Sequence, residues 1–165
     1  MASGETLFQF VPAKSNEPPT ANRAREDERV GTTHPVLDFA IGEEAVFSMV
    51  LPRFYADGGI TVYLHYAMTS AVANDIKLET SFERIGDQQQ DLDADGFAPA
   101  QNTGDIVVPG TSGPVDIITS THTNGAQMDS LAVGEGFRLK VKRVAVVGTD
   151  ASGDLELRFV EIKET

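Results

Sequence analysis

Short runs in which apolar and polar residues alternate, separated by glycine, proline, asparagine and aspartate, cover most of the chain after Pro35. In residues 60–69, every second side chain is large and apolar: Ile60, Val62, Leu64, Tyr66 and Met68. A period of two places such residues on one face of a strand, so that one face is buried and the other is hydrated. The pattern therefore predicts antiparallel β structure.

Nine segments fit this description: residues 6–11, 36–41, 44–51, 60–69, 75–85, 105–108, 114–123, 137–147 and 155–162. Helical periodicity is confined to residues 125–133, which predict one short helix. The chain has 165 residues, the length of one domain, and no repeat of 20–50 residues. We therefore predict an all-β fold, an antiparallel β-sandwich of the jelly-roll type.

Residues 12–35 have a different composition, with four prolines and Val30 as the only sizeable apolar side chain. A segment that buries so little apolar surface does not offset its conformational entropy. The charge run at residues 23–29 indicates no more than one exposed helical turn. The sequence therefore predicts two parts: an N-terminal strand with an extended polar arm in residues 1–34, and a sandwich domain in residues 35–165.

The composition excludes several classes of function. The chain has no cysteine, which excludes disulfides, thiolate nucleophiles and cysteine-ligated metal sites. Its 13 Lys and Arg residues against 25 Asp and Glu residues give a net charge of −12, so no direct nucleic-acid partner is expected. The longest nearly apolar stretch, residues 45–51, is far shorter than a bilayer-spanning helix, so no membrane partner is expected either.

An acidic segment is the sharpest local motif. Asp91, Asp93, Asp95 and Gly96 match the first half of a calcium-binding loop. Asn102 stands where such a loop requires a bidentate glutamate, and no flanking helices are predicted. The three aspartates are therefore a weak candidate for an irregular calcium site, and the alternative is an acidic loop that faces solvent.

Other candidate constellations carry little chemistry. His34, His65 and His122 lack any metal-binding spacing, and the strand pattern predicts exposed or rim positions for them. The sequence GTSG at residues 110–113 has the wrong spacing for a nucleophile elbow and suits a hairpin turn. We therefore expect no catalytic residue and no cofactor, and we expect that the protein is not an enzyme.

Three basic residues, Arg138, Lys140 and Lys142, share one face of a predicted strand. Cross-strand pairing with acidic side chains such as Glu156 or Glu161 is the simpler explanation for them. Contact with the acidic surface of a partner is the alternative.

Several segments together resemble small proteins encoded among the virion-structure genes of tailed bacteriophages. They are HPVLDF (His34–Phe39), LPRFYADGGITV (51–62), FERIGDQQQDLDADGF (82–97), PGTSG (109–113), GAQMDSLAVGEGFRLKVKR (125–143) and VEIKET (160–165). The resemblance covers nearly everything after His34 and carries no site residues with it. It implies a structural protein bound to the phage particle. Within that class we expect a capsid decoration or cement protein that binds the head exterior as a symmetric oligomer.

We expect two partners, the major capsid protein and further copies of this chain in a homotrimer. The expected location is the capsid surface of the virion, after a soluble phase in the host cytoplasm. In that role the N-terminal strand adds to a neighbouring sheet, and its candidate contact residues are Leu7, Phe8, Phe10 and Val11. The net charge of −12 keeps free copies apart before assembly.

Two other classes of function fit the same fold. The first is a fibre- or spike-associated glycan-binding module, for which the candidate stacking residues are Phe54, Tyr55, Tyr63 and Phe97, since the chain has no tryptophan. The second is an enzyme built on a β-sandwich.

Overall fold

The computed structural model describes residues 4–29 and 31–165, which form two antiparallel sheets packed face to face. The six-stranded sheet has the order β2-β3-β11-β5-β9, and β1 pairs with β11 beside β3. Its strands are β1 (Thr6–Phe10), β2 (Arg25–Arg29), β3 (His34–Phe39), β5 (Ile60–Met68), β9 (Asp116–His122) and β11 (Leu155–Glu164).

The five-stranded sheet has the order β4-β10-β6-β7, and β8 also pairs with β6. Its strands are β4 (Glu44–Val50), β6 (Asp75–Ile85), β7 (Gln101–Asn102), β8 (Ile106–Val107) and β10 (Gly136–Val144). Helical structure in the described chain is limited to α1 (Pro12–Ser15) and a 3₁₀ turn at Ala126–Met128. None of the described helices is long and apolar enough to cross a membrane.

The core lies between the two sheets, where the alternating apolar residues meet. The five predicted inward residues of β5 are at most 1% exposed: Ile60, Val62, Leu64, Tyr66 and Met68. In the opposing sheet, the rings of Phe82 and Phe137 lie 5.5 Å apart and are fully buried. The prediction of an antiparallel β-sandwich is therefore confirmed.

Each of the nine predicted strands overlaps a strand of the structure, and β2 and β7 were not predicted. β2 has the sequence REDER, which carries no apolar alternation, because it is an edge strand with most of its side chains exposed. The charge run is therefore a strand and not a helical turn. The helix predicted for residues 125–133 is reduced to the 3₁₀ turn.

The segment predicted to be an extended arm is folded onto its own sandwich. β1 pairs with β11, with Phe8 opposite Ile162 and Phe10 opposite Val160. Beyond β1, the amide of Glu17 donates to the Val46 carbonyl at 2.8 Å. This polar segment is held chiefly by backbone hydrogen bonds, which apolar content does not reveal. Within the described residues this segment therefore lies on the sandwich and does not extend away from it.

The aromatic residues of β1 complete the core. The ring of Phe8 lies 5.9 Å from that of Phe137, and the ring of Phe10 lies 5.0 Å from that of Phe47. Both side chains are half-buried, and Leu7 is 9% exposed. Apolar burial of this kind makes β1 a stabilising element of the sandwich.

Replacing Phe8 by alanine is expected to lower the free energy of unfolding by about 2 kcal/mol, because a half-buried ring leaves the core. For a domain of this size the melting temperature should fall by roughly 4–8 °C. Gln9→Ala, at an exposed position of the same strand, is the control and should change stability little. Equal melting temperatures for Phe8→Ala and the wild type would contradict the role given to β1.

A buried polar cluster joins the two sheets. The Oγ1 atom of Thr80, on β6, lies 2.7 Å from both Ser120 Oγ and His122 Nε2, on β9. His122 Nδ1 lies 3.1 Å from the Gln127 carbonyl, which only accepts hydrogen bonds, so Nδ1 carries the proton and Nε2 accepts from Thr80. His122 has no exposed surface. The prediction of an exposed position is therefore wrong for His122, which continues the inward series of β9.

Burial lowers the pKa of His122 to about 4, since desolvation penalises the imidazolium. The unfolded chain binds a proton at His122 near pH 6.5, and the folded chain does so only near pH 4. The neutral histidine therefore stabilises the fold fully above pH 6.5, and this contribution is lost as the pH falls towards 4. The shift corresponds to about 3 kcal/mol.

We expect His122→Gln to flatten the pH dependence of stability between pH 6.5 and 4, since glutamine does not titrate. Urea unfolding at several pH values measures the free energy of unfolding of both proteins. The contributions of the other titrating groups cancel in the difference between the two. Parallel curves for the two proteins would show that His122 is not buried in its neutral form.

Candidate functional site

The outer face of the six-stranded sheet presents a row in which a half-buried histidine lies between two exposed apolar side chains. Phe159 of β11 is paired with His65 of β5, which is paired with Ile117 of β9. The rings of Phe159 and His65 lie 5.9 Å apart and nearly perpendicular, at 85°. Phe159 is 41% exposed and Ile117 is 52% exposed. Three neighbouring strands thus present a row roughly 10 Å wide, and this surface is hereafter the Phe159 face.

A polar row borders the Phe159 face. The strand register aligns Gln9, Glu161, Tyr63 and Thr119 across four strands. Gln9 Nε2 donates to Glu161 Oε1 at 3.2 Å, and the Lys163 ammonium lies 5.8 Å from the centre of the Tyr63 ring. Donors, acceptors and a second aromatic ring therefore stand one register step from the apolar row.

A β-bulge in β11 creates this arrangement. Leu157 pairs with Tyr66 and Phe159 pairs with the next residue of β5, His65, so Arg158 is one extra residue in β11. A bulge lets two consecutive side chains point to the same side of a sheet. Arg158 and Phe159 both face outward, and the Arg158 guanidinium lies 4.3 Å from the centre of the Phe159 ring. This distance is that of a cation–π contact.

Phe159 stands between two hollows, each with a volume of about 350 Å³. The β1 hollow lies towards the N-terminal strand and is bounded by Gln9, Phe10, His65 and Glu161. The arginine hollow lies on the other side and is bounded by Arg29, His34, Val115, Glu156 and Arg158. Both volumes fall within the range of small-molecule binding sites.

The arginine hollow contains one ion pair and one further guanidinium. Arg29 is paired with Glu156, whose side chain is almost fully buried, and also donates to the Met68 carbonyl at 3.3 Å. The Nη1 atom of Arg158 is buried and has no hydrogen-bond partner within the described residues. Gly113 has a φ of +105°, and a Cβ atom there would lie 3.1 Å from the Arg29 guanidinium. Because Gly113 has no side chain, its backbone can lie close to Arg29 and form one wall of this hollow.

Gly113 belongs to the GTSG sequence for which a hairpin turn was predicted. The structure places residues 110–113 between β8 and β9, which lie in different sheets. The segment is therefore a connection between sheets and not a hairpin.

The acidic loop does not gather its carboxylates around one point. The amides of Ala94 and Asp95 donate to the Asp91 carbonyl at 2.9 Å, and the Asp93 amide donates to the Asp91 carboxylate at 3.0 Å. Across residues 4–29 and 31–165, no group of three or more acidic or histidine side chains is placed to hold a metal ion. Asp91, Asp93 and Asp95 are all exposed in this turn, and calcium binding by them stays a prediction.

The predicted partner residues of β1 pack within the chain. Leu7, Phe8, Phe10 and Val11 all contact the hydrophobic core, and Phe10 and Val11 also border the β1 hollow. Their binding to a capsid or to another subunit stays a prediction.

Only one of the four predicted stacking aromatics lies on the Phe159 face. That residue is Tyr63, whereas Tyr55 is buried and Phe97 lies against Lys140, with the ammonium 4.4 Å from its ring centre. Phe159 was missed because its ring faces the same way as Arg158, against the expected alternation.

The basic face of β10 is neutralised within its own sheet. Arg138 pairs with Glu83 at 2.8 Å, and Lys142 is aligned with Glu44 and Glu79 on the two neighbouring strands. The predicted pairing with Glu156 or Glu161 is wrong, because both residues lie on β11 in the other sheet. This strand therefore offers no free basic stripe.

A second acidic cluster lies at the edge of the six-stranded sheet. Burial, followed by the charge of Asp27, raises the pKa of Asp38 to about 6. Glu43 and Asp154 border a third hollow together with Asp38, and their negative charges raise the pKa of Asp38 further. The negative potential that raises this pKa also repels anionic ligands, which distinguishes this hollow from the arginine hollow.

The fold is shared with solved carbohydrate-binding modules. No protein-family model matches the sequence, and no curated protein matches it. The CBM6-3 module of Clostridium stercorarium, solved in complex with cellobiose, has a TM-score of 0.54 and 11% identity, over 96% of this chain and 95% of that chain.

The CBM22-2 xylan-binding domain of Paenibacillus barcinonensis Xyn10C has a TM-score of 0.54 and 12% identity, over 96% of this chain and 99% of that chain. The CBM6cm-2 module of Cellvibrio mixtus lichenase 5A, in complex with cellotriose, has a TM-score of 0.50 and 13% identity, over 98% and 99%. At such low identity the similarity establishes the fold, which is a jelly-roll β-sandwich.

Proposed function

We propose that this protein is a non-catalytic carbohydrate-binding module that holds an oligosaccharide on the Phe159 face. The observation that carries the proposal is the exposed Phe159 ring, which stands in an apolar row between two hollows. A sugar ring has apolar faces formed by C–H groups and a polar edge formed by hydroxyls. An apolar surface with a few well-placed polar groups fits such a ligand.

The polar groups stand where hydroxyls of a stacked sugar would reach them. Gln9, Glu161 and Tyr63 lie in the row next to Phe159 and His65. Amide, carboxylate and phenol groups together supply both donors and acceptors. The β1 hollow and the arginine hollow adjoin the same ring, so two neighbouring sugar units can be held on either side of Phe159.

The shared fold supports this function. The neighbouring structures are described as complexes with cellobiose and cellotriose, or as xylan-binding domains. Those ligands belong to those proteins, and this chain carries its own set of residues on the sheet face.

The capsid-decoration role implied by the sequence resemblance has less support. It depends on an N-terminal strand that reaches a neighbouring subunit, and in the structure β1 occupies an edge of its own sheet. Glycan binding, which the sequence offered as the alternative function, therefore becomes the main proposal. Its association with a phage fibre or spike stays a prediction.

A tryptophan reporter tests the proposal, because the chain contains no tryptophan. Phe159→Trp places a single indole in the face, and its emission should change when a bound sugar covers it. The ligands are tetrasaccharides from cellulose, xylan, galactan and galacturonan. Phe54→Trp is the matched control, since Phe54 is 45% exposed and lines neither hollow, and its emission should stay constant.

Phe159→Ala should weaken binding of the best tetrasaccharide by about 5- to 30-fold, because a stacked ring contributes on the order of 1–2 kcal/mol. Isothermal titration calorimetry measures this, with Phe54→Ala as control at wild-type affinity. Absence of binding to all the tetrasaccharides, or equal affinity for Phe159→Ala and the wild type, would overturn the proposed site.

A further inference from the structure

We infer that the arginine hollow binds the carboxylate of a uronic acid, so that the preferred ligand is an acidic oligosaccharide. This inference rests on the proposed function and names the ligand class of the same site. Its basis is the Arg158 guanidinium, which lies at the wall of the hollow and against Phe159.

The arginine hollow carries more positive than negative charge. Of the two arginines at the arginine hollow, Arg29 is neutralised by its ion pair with Glu156. Arg158 has no carboxylate partner among the described residues, although acidic residues outnumber basic ones 25 to 13 in the chain. The hollow is therefore a local cationic site on a protein with a net charge of −12.

The Arg158 guanidinium makes no hydrogen bond within the described residues. Its Nη1 atom is buried, so a ligand in the hollow contacts the guanidinium through its remaining N–H groups. The planar guanidinium matches the two oxygens of a carboxylate in a bidentate pair. The contact with the Phe159 ring holds the guanidinium at the hollow before any ligand arrives.

The hollow also has apolar walls. Val36, Ala67 and Val115 line it beside the two arginines. A small inorganic anion makes no use of an apolar wall, whereas the ring of a uronic acid presents C–H groups to such a wall and its carboxylate to Arg158. The continuity of the hollow with Phe159 places this sugar next to the one that stacks on the ring.

Long-range electrostatic attraction does not bring an acidic ligand to this protein. Because the whole protein is strongly acidic, an acidic polysaccharide gains nothing from the overall field and must be recognised by direct contact. A half-buried contact is screened less by salt than an exposed one. The preference for the acidic ligand should therefore persist at 0.5 M NaCl.

The test compares ligands that differ only in the carboxylate. Tetragalacturonate and a tetrasaccharide that contains glucuronic acid are each titrated beside their carboxyl-reduced, neutral counterparts, with Phe159→Trp emission and calorimetry as readouts. Wild type should bind at least one acidic ligand about tenfold more tightly than its neutral counterpart, as expected for a charge-assisted bidentate contact.

Arg158→Gln should reduce this ratio to about one. The ratio compares two ligands on the same variant, so any change in affinity that both ligands share cancels. A far-UV circular-dichroism spectrum and a melting curve like those of the wild type show that the variant is folded. Arg158→Lys keeps the charge without the planar fork and should give an intermediate ratio. Arg53→Gln, at an exposed arginine outside the arginine hollow, should keep the wild-type ratio.

Each other outcome has a defined meaning. If neutral ligands bind and both acidic ligands bind no more tightly, the uronic acid inference is wrong and the proposed function stands. If the acidic preference survives in Arg158→Gln, the carboxylate lies elsewhere and the inference is also wrong. If no oligosaccharide binds at all, the proposed function fails together with the inference.

Discussion

The register of β11 determines both the core and the exposed face of this protein. β11 is hydrogen-bonded to β5 along one edge and to β3 and β1 along the other. Leu155 and Leu157 point inward in its first part, and Val160 and Ile162 point inward in its second part. These two pairs have opposite parity, so a regular strand would expose one of them. Burial of each such side chain contributes about 1.5–3 kcal/mol, and the bulge at Arg158 keeps all four buried.

The same bulge gives the Phe159 face its chemistry. In a regular strand, Arg158 and Phe159 would lie on opposite sides of the sheet. With the bulge, a guanidinium and an aromatic ring stand together on one surface. Core packing therefore requires the bulge, and the bulge places the Arg158 guanidinium beside the Phe159 ring on the exposed side of the sheet.

The fold was largely predictable, because period-two alternation is a local property. β5 follows it over residues 60–66 and β6 over residues 75–80, although Ser81, Glu83 and Ala67 on the outer faces are buried as well. The two-sheet architecture follows from the number of such strands. The elements that lie on the surface of the sandwich were not predictable in this way. β2 is held by backbone pairing with β3 and carries five charged residues. Glu17 is held against β4 by its backbone amide, which donates to the Val46 carbonyl, and Asn16 by its side-chain Oδ1, which accepts from the Val46 amide.

The candidate site was much less predictable, because its residues converge only through strand register. His65 and Phe159 are adjacent because β5 pairs with β11, and nothing in the sequence of either strand specifies that pairing. One signal was present in LELRFVEI, where leucines at 155 and 157 and the aliphatic residues at 160 and 162 change parity. Such a change within one strand predicts a bulge.

A site built on paired strands is stiff, and that property bears on what it can recognise. The groups of the Phe159 face are fixed by the hydrogen bonds of three or four adjacent strands and not by a mobile loop. Little conformational entropy is lost when a ligand settles on such a surface. A flexible oligosaccharide loses much of its own conformational entropy when it binds. On a rigid face the protein adds little to this entropic cost, so more of the contact energy contributes to affinity.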